Sequence, residues 1–150
     1  FEGVLAVINQ FLQKFRPKNI FLGEKDYQQF YLIKKFIKKN FNINVFSCAT
    51  VRDKNNVALS SRNILLNKND LNKSSVIASS MLKFKSKIKK NISYTKNLNN
   101  IATKINSLKN IKIEYLEIRN KYNFSKNYNQ TNFKIFLAYY NKKIRLIDNY

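Results

Sequence analysis

The chain has 150 residues, of which 44% are apolar and 14% aromatic, and its 29 Lys and Arg against 8 acidic residues give a formal charge of +21. This composition supports a real core in one ordinary domain, or in two small pieces, and argues against wholesale disorder. No stretch approaches the roughly 18–20 uninterrupted apolar residues a membrane span needs, and no signal peptide is visible. With one cysteine and no histidine there is no internal disulfide and no obvious zinc site.

The first residue is Phe, with an amphipathic pattern already under way, so a piece whose beginning is missing is expected. Val4, Val7, Ile8, Phe11, Leu12 and Phe15 recur at helical spacing, and Arg16-Pro17 closes that helix. "NIFLG" reads as a short buried strand ending at Gly23. From Asp26 a second helix runs on Phe30, Ile33, Phe36 and Ile37, with lysine pairs facing water. "INVFSC" reads as a second strand, with Cys48 a small buried hydrophobe at its end. Helix, strand, helix, strand is the signature of a parallel α/β layer, in which ligands sit beyond the carboxyl ends of the strands. Gly23 and the polar residues after it fall at that position.

After Cys48 the character changes. "TVRDKNNVALSSRN" is polar and turn-rich and reads as a domain junction and loop. Ile77, Ala78, Met81, Leu82 and Ile88 mark a long basic helix, and Leu98, Ile101, Ala102, Ile105 and Leu108 another. "NYNQTN" reads as a surface loop. The remainder reads as strands: "IKIEYLEIR" alternates, "FKIFLAYY" is a dense β-former run, and "KIRLID" closes the chain. "YYNKKIR" has the form of a tight hairpin, because Asn tolerates the left-handed conformation. The two halves read as different architectures, residues 1–50 as a parallel α/β layer and residues 51–150 as a small α+β unit with an antiparallel sheet.

A balance this basic attracts polyanions through counterion release. The lysines are nevertheless dispersed, in pairs such as Lys34-Lys35, Lys38-Lys39 and Lys89-Lys90, rather than gathered in one arm. Lys, Asn, Ile, Phe and Tyr are enriched together, as A/T-rich codon usage would produce. Compositional drift therefore accounts for the charge better than a dedicated nucleic-acid surface, with non-specific sticking expected at low salt.

Two polar clusters stand out. In "GEKDYQQ", Asp26 and Gln29 share a helix face at i and i+3, and Lys25 is within reach of an anion at the helix start. Asp26 suits sugar hydroxyls, and Gln29 offers both a donor and an acceptor. The plainer alternative is Asp26 as an N-cap among solvated neighbours. In "ALSSRN", Ser60, Ser61 and Arg62 form a good anion clamp, the guanidinium forking onto oxygens while short hydroxyls donate. A serine cap or turn is the alternative there. Without histidine a Ser-His-Asp triad within this chain is excluded, and two glycines cannot build Walker or dinucleotide fingerprints.

"GEKDYQQ", "TVRD", "ALSSRN" and "RLIDN", in that order, resemble the pantothenate synthetase family, the ATP-dependent pantoate–β-alanine ligases. "FEGVLAVINQFLQKFRPKNIFLGEKDYQQ" and "EYLEIR" extend the likeness over nearly the whole chain. The resemblance implies a class I synthetase-like, Rossmann-like nucleotidyltransferase domain followed by a smaller C-terminal domain. It implies attack of the pantoate carboxylate on the α-phosphate of ATP, then displacement of AMP from pantoyl adenylate by β-alanine, with Mg²⁺ assisting. By motif it assigns ATP to Gly23, Glu24, Lys25, Asp26, Val51, Leu59, Ser60, Ser61 and Arg62, and pantoate to Gln29. Lys25, Ser60, Ser61 and Arg62 carry the catalytic role, the last three as counterpart of the KMSKS loop in related synthetases. No protein metal ligand is assigned. A cytoplasmic protein, homodimeric when full length, without specific nucleic-acid or membrane partners, is also implied.

The departures are specific. The family's HxGH-type motif and a pantoate-binding glutamine from that region are absent, so the chain alone is expected to be inactive. Asn56 stands where the family usually has glycine, and Ala49 where it usually has proline. Arg145 and Asp148 are expected to act structurally, as an ion pair holding the last strand. Two other readings remain open at this level: another adenylate-forming nucleotidyltransferase, and a basic nucleic-acid-binding module.

Overall fold

In the computed structural model, which describes residues 1–150, the chain divides between Thr50 and Val51. The first unit holds α1 (Glu2–Phe15), β1 (Asn19–Gly23), a 3₁₀ turn at Glu24–Asp26, α2 (Tyr27–Asn40) and β2 (Asn44–Cys48). Arg16 stops α1 by adopting a left-handed conformation (φ 44°), its N–H returning to the Leu12 carbonyl, and Pro17 cannot continue the helix. β1 and β2 pair in parallel with Gly23 opposite Cys48, so both strands deliver their carboxyl ends to one edge. Leu12, Ile33 and Ile37 form the core of this unit, with Ile20, Leu22 and Val45 packed against it.

That arrangement corrects two expectations. "NIFLG" is not a buried strand, because only Ile20 and Leu22 turn toward the helices while Phe21 is 67% exposed. Cys48 is exposed rather than buried. The reason is the strand period of two: Cys48 lies on the same face as Phe46, opposite the one that carries Val45 to the helices. On that outer face Phe21 and Phe46 stack at 5.1 Å between ring centroids.

The second unit begins with an irregular segment and a 3₁₀ helix at Ser61–Leu65, followed by α3 (Lys68–Lys90), a 3₁₀ segment at Ile92–Asn97 and α4 (Leu98–Asn106). Three antiparallel strands follow, β3 (Ile111–Asn120), β4 (Phe133–Asn141) and β5 (Ile144–Asn149), in the order β3-β4-β5. Asn67 starts α3 by accepting from the Asp70 N–H at 2.9 Å. Ile77, Met81, Phe84 and Ile88 recur along one face of α3 and are buried with Ile135, Leu137 and Tyr139 of β4. Burying each of these large side chains contributes about 1.5–3 kcal/mol, which is why this face fixes the register of helix on sheet. The parallel layer and the separate antiparallel sheet agree with the α/β plus α+β fold class read from the sequence.

The β4–β5 hairpin forms with Asn141 opposite Ile144, but Lys142, not Asn141, takes the left-handed conformation (φ 55°). Asn141 is withdrawn from the turn: it is fully buried, and its amide donates to the Asp70 carbonyl at 2.9 Å. Lys142 is held by an ion pair of 2.7 Å to the Asp70 carboxylate. Burial raises the Tyr139 hydroxyl of the same strand to about 12.

Arg145 and Asp148 are both structural, but they do not pair with each other. Three residues apart on β5, they project to opposite faces of the strand. Arg145 makes two hydrogen bonds to Glu114, at 2.6 and 3.0 Å. The register of β3 on β4 shifts between Ile113 and Tyr115, so Glu114 is the extra residue at that irregularity. Hydrogen bonding to Arg145 holds the Glu114 carboxyl below its usual range.

Candidate functional site

The first cluster sits where β1 turns into α2. Gly23 is extended (φ −69°, ψ 134°), and a Cβ there would meet nothing within 4 Å. The fold of this unit therefore gives no reason for glycine, whether by conformation or by space. Lys25 and Asp26 lie in the short 3₁₀ turn and approach each other at 3.8 Å. Asp26 occupies the N-cap position of α2, yet its side chain makes no capping hydrogen bond. The plain capping reading thus holds for position and fails for chemistry. Gly23, Asp26 and Gln29 are exposed, while Glu24 and Lys25 are half-buried. The unit brings these five residues together at the carboxyl ends of the parallel strands.

The second cluster is built on a tight hairpin from Val51 to Leu59. Leu59 donates to the Val51 carbonyl at 3.0 Å, Arg52 bridges Ala58, and the Asp53 N–H reaches the Val57 carbonyl at 2.9 Å. The turn closes through Asn56, whose N–H returns to the Asp53 carbonyl at 3.0 Å. Asn56 is left-handed (φ 67°), a conformation Asn adopts more readily than most residues in place of glycine. Asp53 stiffens the turn, its carboxylate accepting from the N–H groups of Asn55 at 2.8 Å and Val57 at 2.9 Å. Val51 and Leu59, partners across the hairpin, expose 66% and 52% of their surface.

The hairpin runs directly into Ser60, which caps the following 3₁₀ helix by accepting from the Arg62 N–H at 3.3 Å. The serine-cap reading therefore applies to Ser60, but not to Ser61, which is exposed. Asn63 donates to the Ala58 carbonyl at 3.0 Å and folds the turn back on the hairpin. Arg62, exposed, donates to the Arg145 carbonyl at 2.8 Å. The second unit thus brings Val51, Leu59, Ser60, Ser61 and Arg62 onto one short stretch of backbone.

Sequence reasoning missed the residue that carries this stretch. Arg52 makes two hydrogen bonds to Asp148, at 2.7 and 2.9 Å, and donates to the carbonyls of Asn149 at 3.1 Å and Asn56 at 3.0 Å. Its guanidinium also lies 4.7 Å from the centre of the Tyr150 ring. Partial burial opposes the charge, but the bonds and charge of Asp148 outweigh it, and the Arg52 pKa is raised. Burial first, then the neighbouring Asp148 charge, pushes the Tyr150 hydroxyl well above its ordinary value. No short-range pattern announces this contact, since the two partners of the ion pair are 96 residues apart.

No group of three or more Cys, Asp or Glu side chains is arranged to hold a metal ion. No helix is long and apolar enough to cross a membrane.

The family model for pantoate-beta-alanine ligase matches residues 1–150. A pantothenate synthetase of Francisella tularensis is 37% identical over 151 aligned positions, covering 100% of this chain and 49% of that protein. A bifunctional pantoate ligase/cytidylate kinase of Prochlorococcus marinus is 40% identical over 118 residues, covering 78% of this chain and 22% of that protein. Among solved structures, pantoate-beta-alanine ligase of F. tularensis, complexed with beta-gamma ATP and beta-alanine, superposes with a TM-score of 0.72. It is 35% identical and matches 99% of this chain and 49% of its own. Pantothenate synthetase of Thermus thermophilus, at 23% identity, shares the fold with a TM-score of 0.85 over 100% of this chain and 55% of its own. The chain therefore spans about half the length, or less, of the curated relatives it matches.

Proposed function

Because the chain belongs to the pantoate–beta-alanine ligase family, we propose that it forms the part of such a ligase that grips ATP and contacts pantoate. The observation that carries this reading is the start of α2. Asp26 holds the N-cap position without a capping bond, Lys25 stands beside it, and both lie at the carboxyl ends of two parallel strands. A helix start of this kind favours an anion, and Lys25 adds a charge suited to phosphate. Gly23 lets a ligand approach the backbone closely, Glu24 flanks the turn, and Asp26 accepts from ribose hydroxyls. Gln29, one turn along, binds pantoate.

On the second unit, Val51 and Leu59 offer an exposed apolar pair with backbone polar groups for a base. Ser60, Ser61 and Arg62 grip phosphate oxygens; Arg62 exchanges its bond to the Arg145 carbonyl for them. The pantoate carboxylate attacks the α-phosphorus, and pyrophosphate leaves. The amine of β-alanine then attacks the acyl carbon of pantoyl adenylate, expelling AMP and losing a proton. The protein contributes positioning and stabilisation of phosphate charge, with Mg²⁺ entering as part of the nucleotide substrate. Cytoplasmic location and a homodimer of the full-length ligase belong to the same reading.

Titration of the chain with a fluorescent ATP analogue tests the nucleotide assignment. Lys25→Ala and Arg62→Ala are each expected to weaken binding by about tenfold, as loss of a charge-assisted contact does. Unchanged affinity in both would overturn the assignment. Pyrophosphate release at the rate of a full-length ligase is not expected, since the chain has no histidine to steady the phosphates. Gln29→Ala separates this family from other adenylate-forming enzymes: weakened nucleotide binding with pantoate binding intact would count against the pantoate role.

A further inference from the structure

We propose that Arg52 is a positioning residue whose attachment to the end of the chain pre-orders the Val51–Arg62 segment for its ligand. The inference rests on the nucleotide reading above, but its geometry stands apart from it. Before ligand binds, the segment is held at two points by β5 and the residue after it, and the Arg52 point is the one that stays when Arg62 turns to phosphate. Arg52 anchors the hairpin through Asp148, the Asn149 carbonyl and the Tyr150 ring, and Arg62 anchors the following turn through the Arg145 carbonyl. Between these points Val57 and Ala58 are buried and Ser75 donates to the Asn55 carbonyl at 3.0 Å, whereas Val51 and Leu59, exposed, gain little from packing.

Arg52 reaches both the turn of its own hairpin, at the Asn56 carbonyl, and the neighbouring strand, so one planar group ties the tip of the hairpin to the sheet. A lysine retains the charge but lacks the fork that makes parallel bonds to both oxygens of Asp148. The guanidinium makes four hydrogen bonds within the protein, two to Asp148 and one each to Asn56 and Asn149. Its role is therefore to hold the backbone that presents Leu59, Ser60 and Ser61, not to touch ligand. A segment already ordered loses less conformational entropy on binding, which appears as affinity.

Hydrogen exchange of the chain, read peptide by peptide, tests this in Asp148→Asn and Arg52→Lys. The expected result is about ten- to a hundredfold faster exchange of the Asn56, Val57 and Leu59 amides, clearly more than any general loss of protection in α3, β3 and β4. A fluorescent ATP analogue should bind both variants more weakly, Arg52→Lys less severely than Arg52→Ala. Unchanged exchange in the hairpin overturns the proposal, as does an equal loss of protection through the whole unit. Weaker binding with unaltered exchange overturns it too, because Arg52 would then act by direct contact. Failure of the unaltered chain to bind nucleotide counts against the nucleotide reading instead, and is distinguished by the exchange pattern, which needs no ligand.

Discussion

Arg52 and Asp148, 96 residues apart in sequence, meet through two hydrogen bonds of 2.7 and 2.9 Å. The side chains expose only 18% and 8% of their surface, so the pair is largely withdrawn from water. Its removal from one side leaves a buried charge without a partner, which costs more than the pair itself contributes. Arg52→Met is accordingly expected to destabilise the second unit by about 2 kcal/mol, while adding Asp148→Leu recovers part of that loss. Urea denaturation of the two single variants and the double variant measures the coupling.

Asn56 supplies a second, purely local test. Its φ of 67° is one that Gly adopts at no steric cost and that β-branched residues resist. Asn56→Gly should leave stability within about 0.5 kcal/mol of the original, and Asn56→Val should lower it by about 1–2 kcal/mol. Thermal melts of both variants decide the matter; a valine variant as stable as the glycine one would show that the turn is not held left-handed in solution.

Features set by neighbours in sequence were legible in the sequence. The α3 face of Ile77, Met81 and Ile88 repeats at helical spacing, and the β4 run is dense in β-formers, so both elements follow from local pattern. The family's usual glycine at position 56 pointed to a turn that Asn, in place of glycine, does hold left-handed (φ 67°). What failed depended on distant partners. Cys48 reads as a buried residue on composition alone, but which face of β2 is covered depends on where two helices lie. Arg145 and Asp148 look like a pair because they are close in sequence, yet strand geometry turns them apart, toward Glu114 and Arg52. Asn141 looked like the turn residue and was drawn into the core by Asp70, 71 positions away. At the candidate site, residue types and order were readable, whereas the role of Arg52 required the fold.

Asp70 makes acid stability a further test. It is buried, and hydrogen bonds from Lys142 and Lys73 lower its pKa below the ordinary 3.8 despite the opposing effect of burial. A carboxyl whose folded pKa lies below its unfolded value contributes stability that is fully present above the unfolded pKa. That contribution is lost as pH falls through the folded pKa. The difference in melting temperature between the original chain and Asp70→Asn should therefore be largest near neutral pH and shrink steadily below about pH 4. A difference independent of pH would mean that Asp70 acts through packing and not through its charge.

The basic surface yields the last prediction. With a formal charge of +21, the chain should bind RNA or heparin at low ionic strength. On α3 the exposed lysines Lys83, Lys87, Lys89 and Lys90 are strung along one end, and Lys87 is already engaged with Tyr94 at 2.9 Å. The Tyr94 ring beside them is covered by the Lys87 ammonium, 4.8 Å from its centre. Binding of this kind depends on the number of counterions released, so it should fall steeply and without sequence preference as salt rises from about 50 to 150 mM. A fluorescence-anisotropy titration of unrelated RNA sequences across that range distinguishes the outcomes. Affinity that survives about 150 mM salt and discriminates between sequences would point to a dedicated nucleic-acid surface beside the ligase fold.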